Sequence, residues 1–326
     1  VSSESIDLAR WGLEKPAAAQ PAAPAAKAPV FSDTPLPAIT LPDIPLRANV
    51  RIDRLAVPGL PPLSAVKAEI QLEPDRLVVA PLSLAVAGGQ LQGRLELAAR
   101  RGEPLRVKLR AQGDGLSLQT LDAISSGDDR VRGGRVNLRA NLELAGRTPH
   151  GLASSANGSV LVSVADATVL GNAAVMQRDI LVTVMKALLP RQEVEQSLKV
   201  ECAVVNLSLR NGVASIDRSI AMETDKLAVA ASGELNLVAQ TVALTFRPAA
   251  KKGLGLDPAN LASMAMLEGP LHDPRVAIDV KGTAREAASI GAAVATAGLT
   301  LVGKRLLSGP ADTQVCRHAM AGAAAP

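Results

Sequence analysis

Aromatic side chains are nearly missing from this chain. Two phenylalanines, one tryptophan and no tyrosine occur in 326 residues. Any core must therefore be aliphatic. Single-stranded nucleic acids are held largely by stacking bases on aromatic rings, so nucleic acid is not expected as a partner. Cysteine is as scarce, with only Cys202 and Cys316, far apart. No C-x-x-C or Cys/His cluster occurs, which removes zinc and dithiol redox motifs. Cys202 stands in a strand pattern and reads as a small buried hydrophobe; a disulfide to Cys316 would require an oxidising compartment. The three histidines, His150, His272 and His318, are isolated. None sits in H-E-x-x-H, and no G-x-S-x-G elbow, P-loop or G-x-G-x-x-G follows a strand. Ser126 to Asp129 lacks the remaining ligands of a calcium loop. His272, before Asp273-Pro274, reads as a turn residue. Without a nucleophile, an acid/base pair or a metal set, the chain reads as non-enzymatic and cofactor-free.

Long apolar runs are absent too. The nearest, residues 287–303, is uncharged but shorter than the roughly 20 residues that cross a bilayer. It reads as a packed or membrane-surface helix. No leader pattern of charged then apolar residues opens the chain, and Val1 in place of Met fits a fragment or a processed form. Charge is nearly balanced, 35 Lys and Arg against 31 Asp and Glu. The signs are interspersed, as on a solvated surface, with attraction to anionic lipid as the sharper alternative. Arg130, Arg132, Arg135 and Arg139 form a local basic group that solvation or lipid headgroups would explain.

What is present is alternation. Apolar residues make up 48% of the chain, and many recur at every second position. Leu82, Leu84 and Val86 are followed by Gly88-Gly89, then by Leu91, Leu95 and Leu97: a strand, a glycine turn and a second strand. Leu227-Ala228-Val229-Ala230 repeats Leu84-Ala85-Val86-Ala87. Ser232-Gly233 reads as its turn, before Leu235 and Leu237; Val242 and Leu244 continue the pattern. Leu105, Val107, Leu109 and Ala111 alternate with Arg106, Lys108 and Arg110. Val136, Leu138, Ala140, Leu142 and Leu144 alternate with arginine, asparagine and glutamate. One face is aliphatic and the other polar, which predicts an antiparallel sheet wetted on one side. The fold class is mainly β, an elongated, curved antiparallel sheet or groove with a few short helices and a C-terminal helix.

Residues 1–15 read as the end of an upstream β element, with Ser5 to Leu8 strand-like. Residues 16–30 are an Ala/Pro-rich linker or insertion. Residues 31–285 form the β domain, and 286–326 a C-terminal helix and tail. Within the domain, helices are expected at Leu116–Ile124, Asn172–Leu189 and Leu261–Met266, and a terminal helix at Ala284–Leu307. Pro74-Asp75 and Asn211-Gly212 are expected turns. Val276, Ile278 and Val280 make a last strand.

Several of these segments carry a resemblance. Phe31 to Pro37 (FSDTPLP), Pro81-Leu82 with Ala87-Gly88-Gly89-x-Leu91-x-Gly93, Gly233 to Leu237, Gly269 to Pro274 and Arg285 to Gly291 resemble, in this order, the C-terminal region of AsmA-family proteins. The likeness runs from about Phe31 to Cys316. It implies an inner-membrane protein of Gram-negative bacteria, held by an N-terminal anchor that lies outside this sequence and facing the periplasm. It implies a relation to TamB, YhdP and the bridge-like lipid transfer proteins, whose taco-like sheets carry aliphatic side chains on the concave face. The implied ligand is phospholipid or another acyl lipid. A further outer-membrane or periplasmic protein partner is also implied.

The residues themselves leave two outcomes open. The aliphatic face closes on itself as a sandwich, or curves into a groove for acyl chains. In the second case the lining is Leu84, Val86, Leu95, Leu97, Val107, Leu109, Val136, Leu138, Leu142, Leu144, Leu227, Val229, Leu235, Leu237, Val242 and Leu244. The function would then be lipid binding and transfer between the two membranes, supporting outer-membrane integrity. In the first case the chain would serve as a structural or assembly factor for outer-membrane proteins, acting through protein contacts.

Overall fold

The computed structural model describes residues 2–7, 28–37, 41, 44–126, 130–170, 197–225, 227–251, 264–279 and 314–322. The expected helices at 172–189 and 284–307 lie outside these residues. Fourteen strands form one curved, unclosed sheet. They are β1 (Ser2–Asp7), β2 (Leu46–Ala56), β3 (Leu63–Glu73), β4 (Arg76–Val86), β5 (Gly89–Ala98), β6 (Leu105–Ser117), β7 (Val131–Gly146) and β8 (Asn157–Leu170). Then come β9 (Ser197–Arg210), β10 (Val213–Thr224), β11 (Leu227–Asn236), β12 (Thr241–Ala250), β13 (Met264–Pro270) and β14 (Arg275–Asp279). Three short helices are described: α1 (Leu118–Ser126), α2 (Pro149–Ser154) and α3 (Val315–Ala321). None of the described helices is long and apolar enough to cross a membrane.

The strands are ordered as in the sequence, and every neighbouring pair but the first is antiparallel. β1 lies parallel along β2, with Ser2 beside Arg51 and Asp7 beside Ala56. One partner of β1 is thus β2 of this chain, beyond residues 8–45. Short turns join the strands at one rim of the sheet. Asp75 and Asn211 there take positive φ, as their turns require. The connection that carries α1 falls at the other rim.

Two local expectations give way to strand pairing. Ser232-Gly233 is not a turn, because β11 runs straight through it and the turn comes at 237–240. Gly233 takes φ +148°, and a Cβ there would collide with the carbonyl of Ala243 on β12. Glycine here lets two strands approach rather than reverse. Residues 264–266 are strand, not helix, since β13 pairs along β12 from Phe246 to Thr241. Tertiary pairing outweighs the helix preference of Ala and Met. In the expected tail, α3 spans Val315–Ala321 and docks on the sheet.

Candidate functional site: one aliphatic face

Directly paired residues of a sheet share a face. The register therefore orders the aliphatic side chains into rows that cross the strands. One row runs Val79, Leu95, Leu109, Leu142, Gly158, Leu209, Ala214, Leu235 and Val242. A second runs Leu84, Leu91, Gly113, Leu138, Val162 and Val205. Between them lies Leu82, Gly93, Ala111, Ala140, Val160 and Leu207, whose middle members are small. Leu97, Val107 and Leu144 make a further row, as do Leu116, Val136 and Val164. Val86 follows Leu84 by two positions, and Leu227, Val229 and Leu235 alternate along β11. Leu244 follows Val242 on β12, and Leu237 packs in one cluster with Leu142, Leu144 and Leu235. All sixteen residues singled out in the sequence thus share one face.

That face has two environments. On β4 to β6 most of its side chains are only partly buried: Leu84, Val86, Leu95, Leu97, Val107 and Leu109 all retain exposure, while Leu116 and its neighbour Val136 on β7 are buried. Among the described residues these strands pack on their sheet neighbours, with α1 against the ends of β6 and β7. No second layer covers them among the described residues, yet they are shielded more than the exposed arginines and glutamines that alternate with them. A single sheet produces that asymmetry by curving toward its apolar side. On β10 to β13 the same face closes. Leu227 is fully buried and Val229 nearly so, in a cluster with Ala265, Leu198, Met222 and Phe246. Val242 and Leu244 join Ile216 and Leu267 in another.

The polar face differs in the same way. Over β5 to β7 it carries Arg94, Glu96, Arg106, Lys108, Arg110, Arg135, Arg139 and Glu143, with two exposed ion pairs at 2.9 Å, Arg76–Glu96 and Lys108–Glu143. Over β8 to β11 it turns small and apolar. Leu161, Val204, Ala221, Ala228 and Ala230 receive α3 through Val315, Cys316 and Ala319. Cys202 and Cys316 are joined as a disulfide with Cα atoms 6.5 Å apart, which decides the alternative that the sequence left open. The buried Asn206 amide donates to the Ala319 carbonyl at 2.7 Å, and Glu223 accepts from Cys316 N–H at 3.0 Å. Lys251 bonds Glu201 and lies 3.5 Å from Glu223. Burial lowers its pKa, but these two carboxylates outweigh that and raise it.

The short-turn rim is braced by the Phe31–Pro37 segment, whose part the sequence reading did not assign. Phe31 N–H donates to the Gln240 side chain, whose amide donates back to the Phe31 carbonyl. Ser32 O accepts from His150 N–H, and Leu36 N–H donates to Arg147 O. His150 reaches Asp33 Oδ1 at 2.8 Å through Nδ1 and Val238 O at 2.9 Å through Nε2. Both partners are acceptors, so both ring nitrogens are best satisfied as donors. The Val238 carbonyl first, and then Asp33, raise its pKa above the ordinary 6.5. α2 carries His150 into place, started by Thr148, whose hydroxyl accepts from Gly151 N–H, and by Pro149 at its first turn. His150 is thus a strut between three segments.

No curated protein and no solved structure matches the chain. A family model does match, over residues 2–218, which takes in the strands from β1 into β10. That is two thirds of the sequence, and the chain belongs to the AsmA family.

Proposed function

We propose that this chain is a lipid-holding β-trough of the bacterial envelope, acting without catalysis. It would take part in moving phospholipid between the inner and outer membranes and so in outer-membrane integrity. The observation that carries this reading is the set of aliphatic rows on β4 to β8, in register, partly exposed and without a second layer among the described residues. Such a face needs no particular residue at any position. Each methylene transferred from water contributes about 0.8 kcal/mol, so an acyl chain is retained by many small increments. The disulfide fits an oxidising compartment, as the periplasmic side would be. Membership of the family agrees with a role in the envelope.

The test is native mass spectrometry of the purified chain, with and without Leu95→Asp and Leu138→Asp together. The expected outcome is bound phospholipid in the parent and an empty but folded variant. A lipid-free parent, with a variant that unfolds, would refute the trough. That result would favour the second reading, an assembly factor working by protein contacts, which draws its support from the closed packing of β10 to β13.

A further inference from the structure

The polar face of β5 to β7 is more than a solvated surface. Its carboxylates are already engaged. Glu96 pairs with both Arg76 and Arg94, Glu143 pairs with Lys108, and Asp114 accepts from the Gln112 amide. Arg106, Arg110, Arg135 and Arg139 are left exposed, and no hydrogen bond or ion pair reaches them among the described residues. Arg94 stands directly opposite Arg110. Arg110 faces Asn141, which places Arg139 on the diagonal from it, about 7–8 Å away. Arg106 and Arg135 extend the array, each roughly 13 Å along its strand from Arg110 and Arg139. Like charges directly opposed in a sheet are unfavourable. The arrangement is relieved when anions lie over it.

We infer that this face rests on an anionic phospholipid surface. Guanidinium groups bind phosphate in a two-pronged fashion, and every unengaged cation here is arginine. The face has no aromatic or aliphatic anchor of the kind that forms the centre of a protein interface. Gln90, Gln92, Gln112, Asn137 and Asn141 fill the spaces between the charges. A surface of charge without an anchor suits a fluid, phosphate-dense layer better than a shaped protein partner. The inference is independent of what the opposite, aliphatic face carries.

Flotation of the full chain with vesicles of mixed phosphatidylglycerol and phosphatidylcholine tests it. Binding is expected at ~0.1 M salt and lost at ~1 M, where the screening length falls from about 10 to about 3 Å. Each basic residue near an anionic surface contributes ~1 kcal/mol, so Arg110→Gln weakens partitioning about fivefold. Replacing Arg106, Arg110, Arg135 and Arg139 together weakens it several hundredfold on the same basis of ~1 kcal/mol each. Glu96→Gln, which frees Arg94, tightens it and keeps the test open should the fourfold variant fail to fold. Equal binding to pure phosphatidylcholine, or a folded fourfold variant that binds like the parent, overturns the inference. So does retention on soluble polyglutamate at a salt concentration that strips the chain from vesicles; that result would assign the face to an acidic protein.

Discussion

The strands from β4 to β7 and those from β9 to β13 share one alternating pattern and end in different environments. In the first panel the aliphatic face is half-open and the other face is charged. In the second, the aliphatic face is buried along β10 to β13 and α3 buries part of the other. The difference begins on the outward positions. Where β5 to β7 place Arg, Lys, Gln and Asn, β9 to β11 place Val204, Ala221, Ala228 and Ala230, and α3 covers them. The closed panel also carries irregular backbone. β10 shifts register between Asp217 and Ile220, where Arg218 takes positive φ, and Gly233 lets β11 lie close against β12. Bulges of this kind increase local twist and curl the sheet. Alternation therefore specifies that one face is apolar; register shifts occur in both panels, and what sets the panels apart is the opposite face and the helix on it.

The largest expected effect breaks the comparison directly. Leu227→Asp places an unpaired carboxylate in a site with no solvent access and should cost more than about 4 kcal/mol, enough to unfold its panel. Leu109→Asp, on the partly exposed face, should cost about 1–2 kcal/mol and leave the chain folded. Chemical denaturation of the two variants checks this, and similar losses at both sites would mean that both panels are closed cores. Next comes the disulfide. Cys202→Ser with Cys316→Ser removes a link across 114 residues, for which chain entropy gives about 4–5 kcal/mol, an upper bound on what melting will show. Hydrogen exchange should rise across β9 to β11 and stay unchanged in β4 to β6. A uniform rise would show that the panels open as one unit. Smaller again is Asn206→Ala, which leaves the Ala319 carbonyl unpaired and should cost about 1–2 kcal/mol. Exchange at α3 should report it first.

Most of the architecture was legible because period-two spacing is a local signal. Arg106-Val107-Lys108-Leu109 states which side of β6 is wet without reference to any other strand. The register could not be read this way. That Gly93, Ala111 and Ala140 fall in one row depends on two connection lengths and on the shift between Gly113 and Leu116. Ser232-Gly233 shows the limit of local reading. The same small residues serve a turn at Ala87-Gly88, where both take positive φ, and a close strand contact in β11. Cys316 was visible as an optional partner of Cys202, but its docking was not, since nothing near it in sequence shows that Ala228 and Ala230 leave an apolar patch for α3 to cover. The Phe31–Pro37 segment carried the family likeness. Its role as a brace rests on Gln240, 209 residues away from Phe31.

The smallest effect concerns that brace, and its sign can be worked out. His150 holds Asp33 and the Val238 carbonyl with its two ring nitrogens, and its pKa in the folded chain is raised. A group whose folded pKa exceeds the unfolded one contributes stability that is fully present below the unfolded value, here 6.5, and lost as pH rises through the folded value. Asp33 is 77% exposed, so solvent screens the pair and the contribution stays below about 1 kcal/mol. Thermal melts should therefore show a slight fall in stability from pH 6 to pH 8, given the ordinary histidine value near 6.5. Asp33→Asn should shrink that slope, and His150→Gln should abolish it while keeping one bond to the rim. The loss should be read at Gln240 and Val238 by amide exchange, because the brace joins turns rather than the middles of strands. An unchanged slope in His150→Gln would place the pH dependence outside the brace.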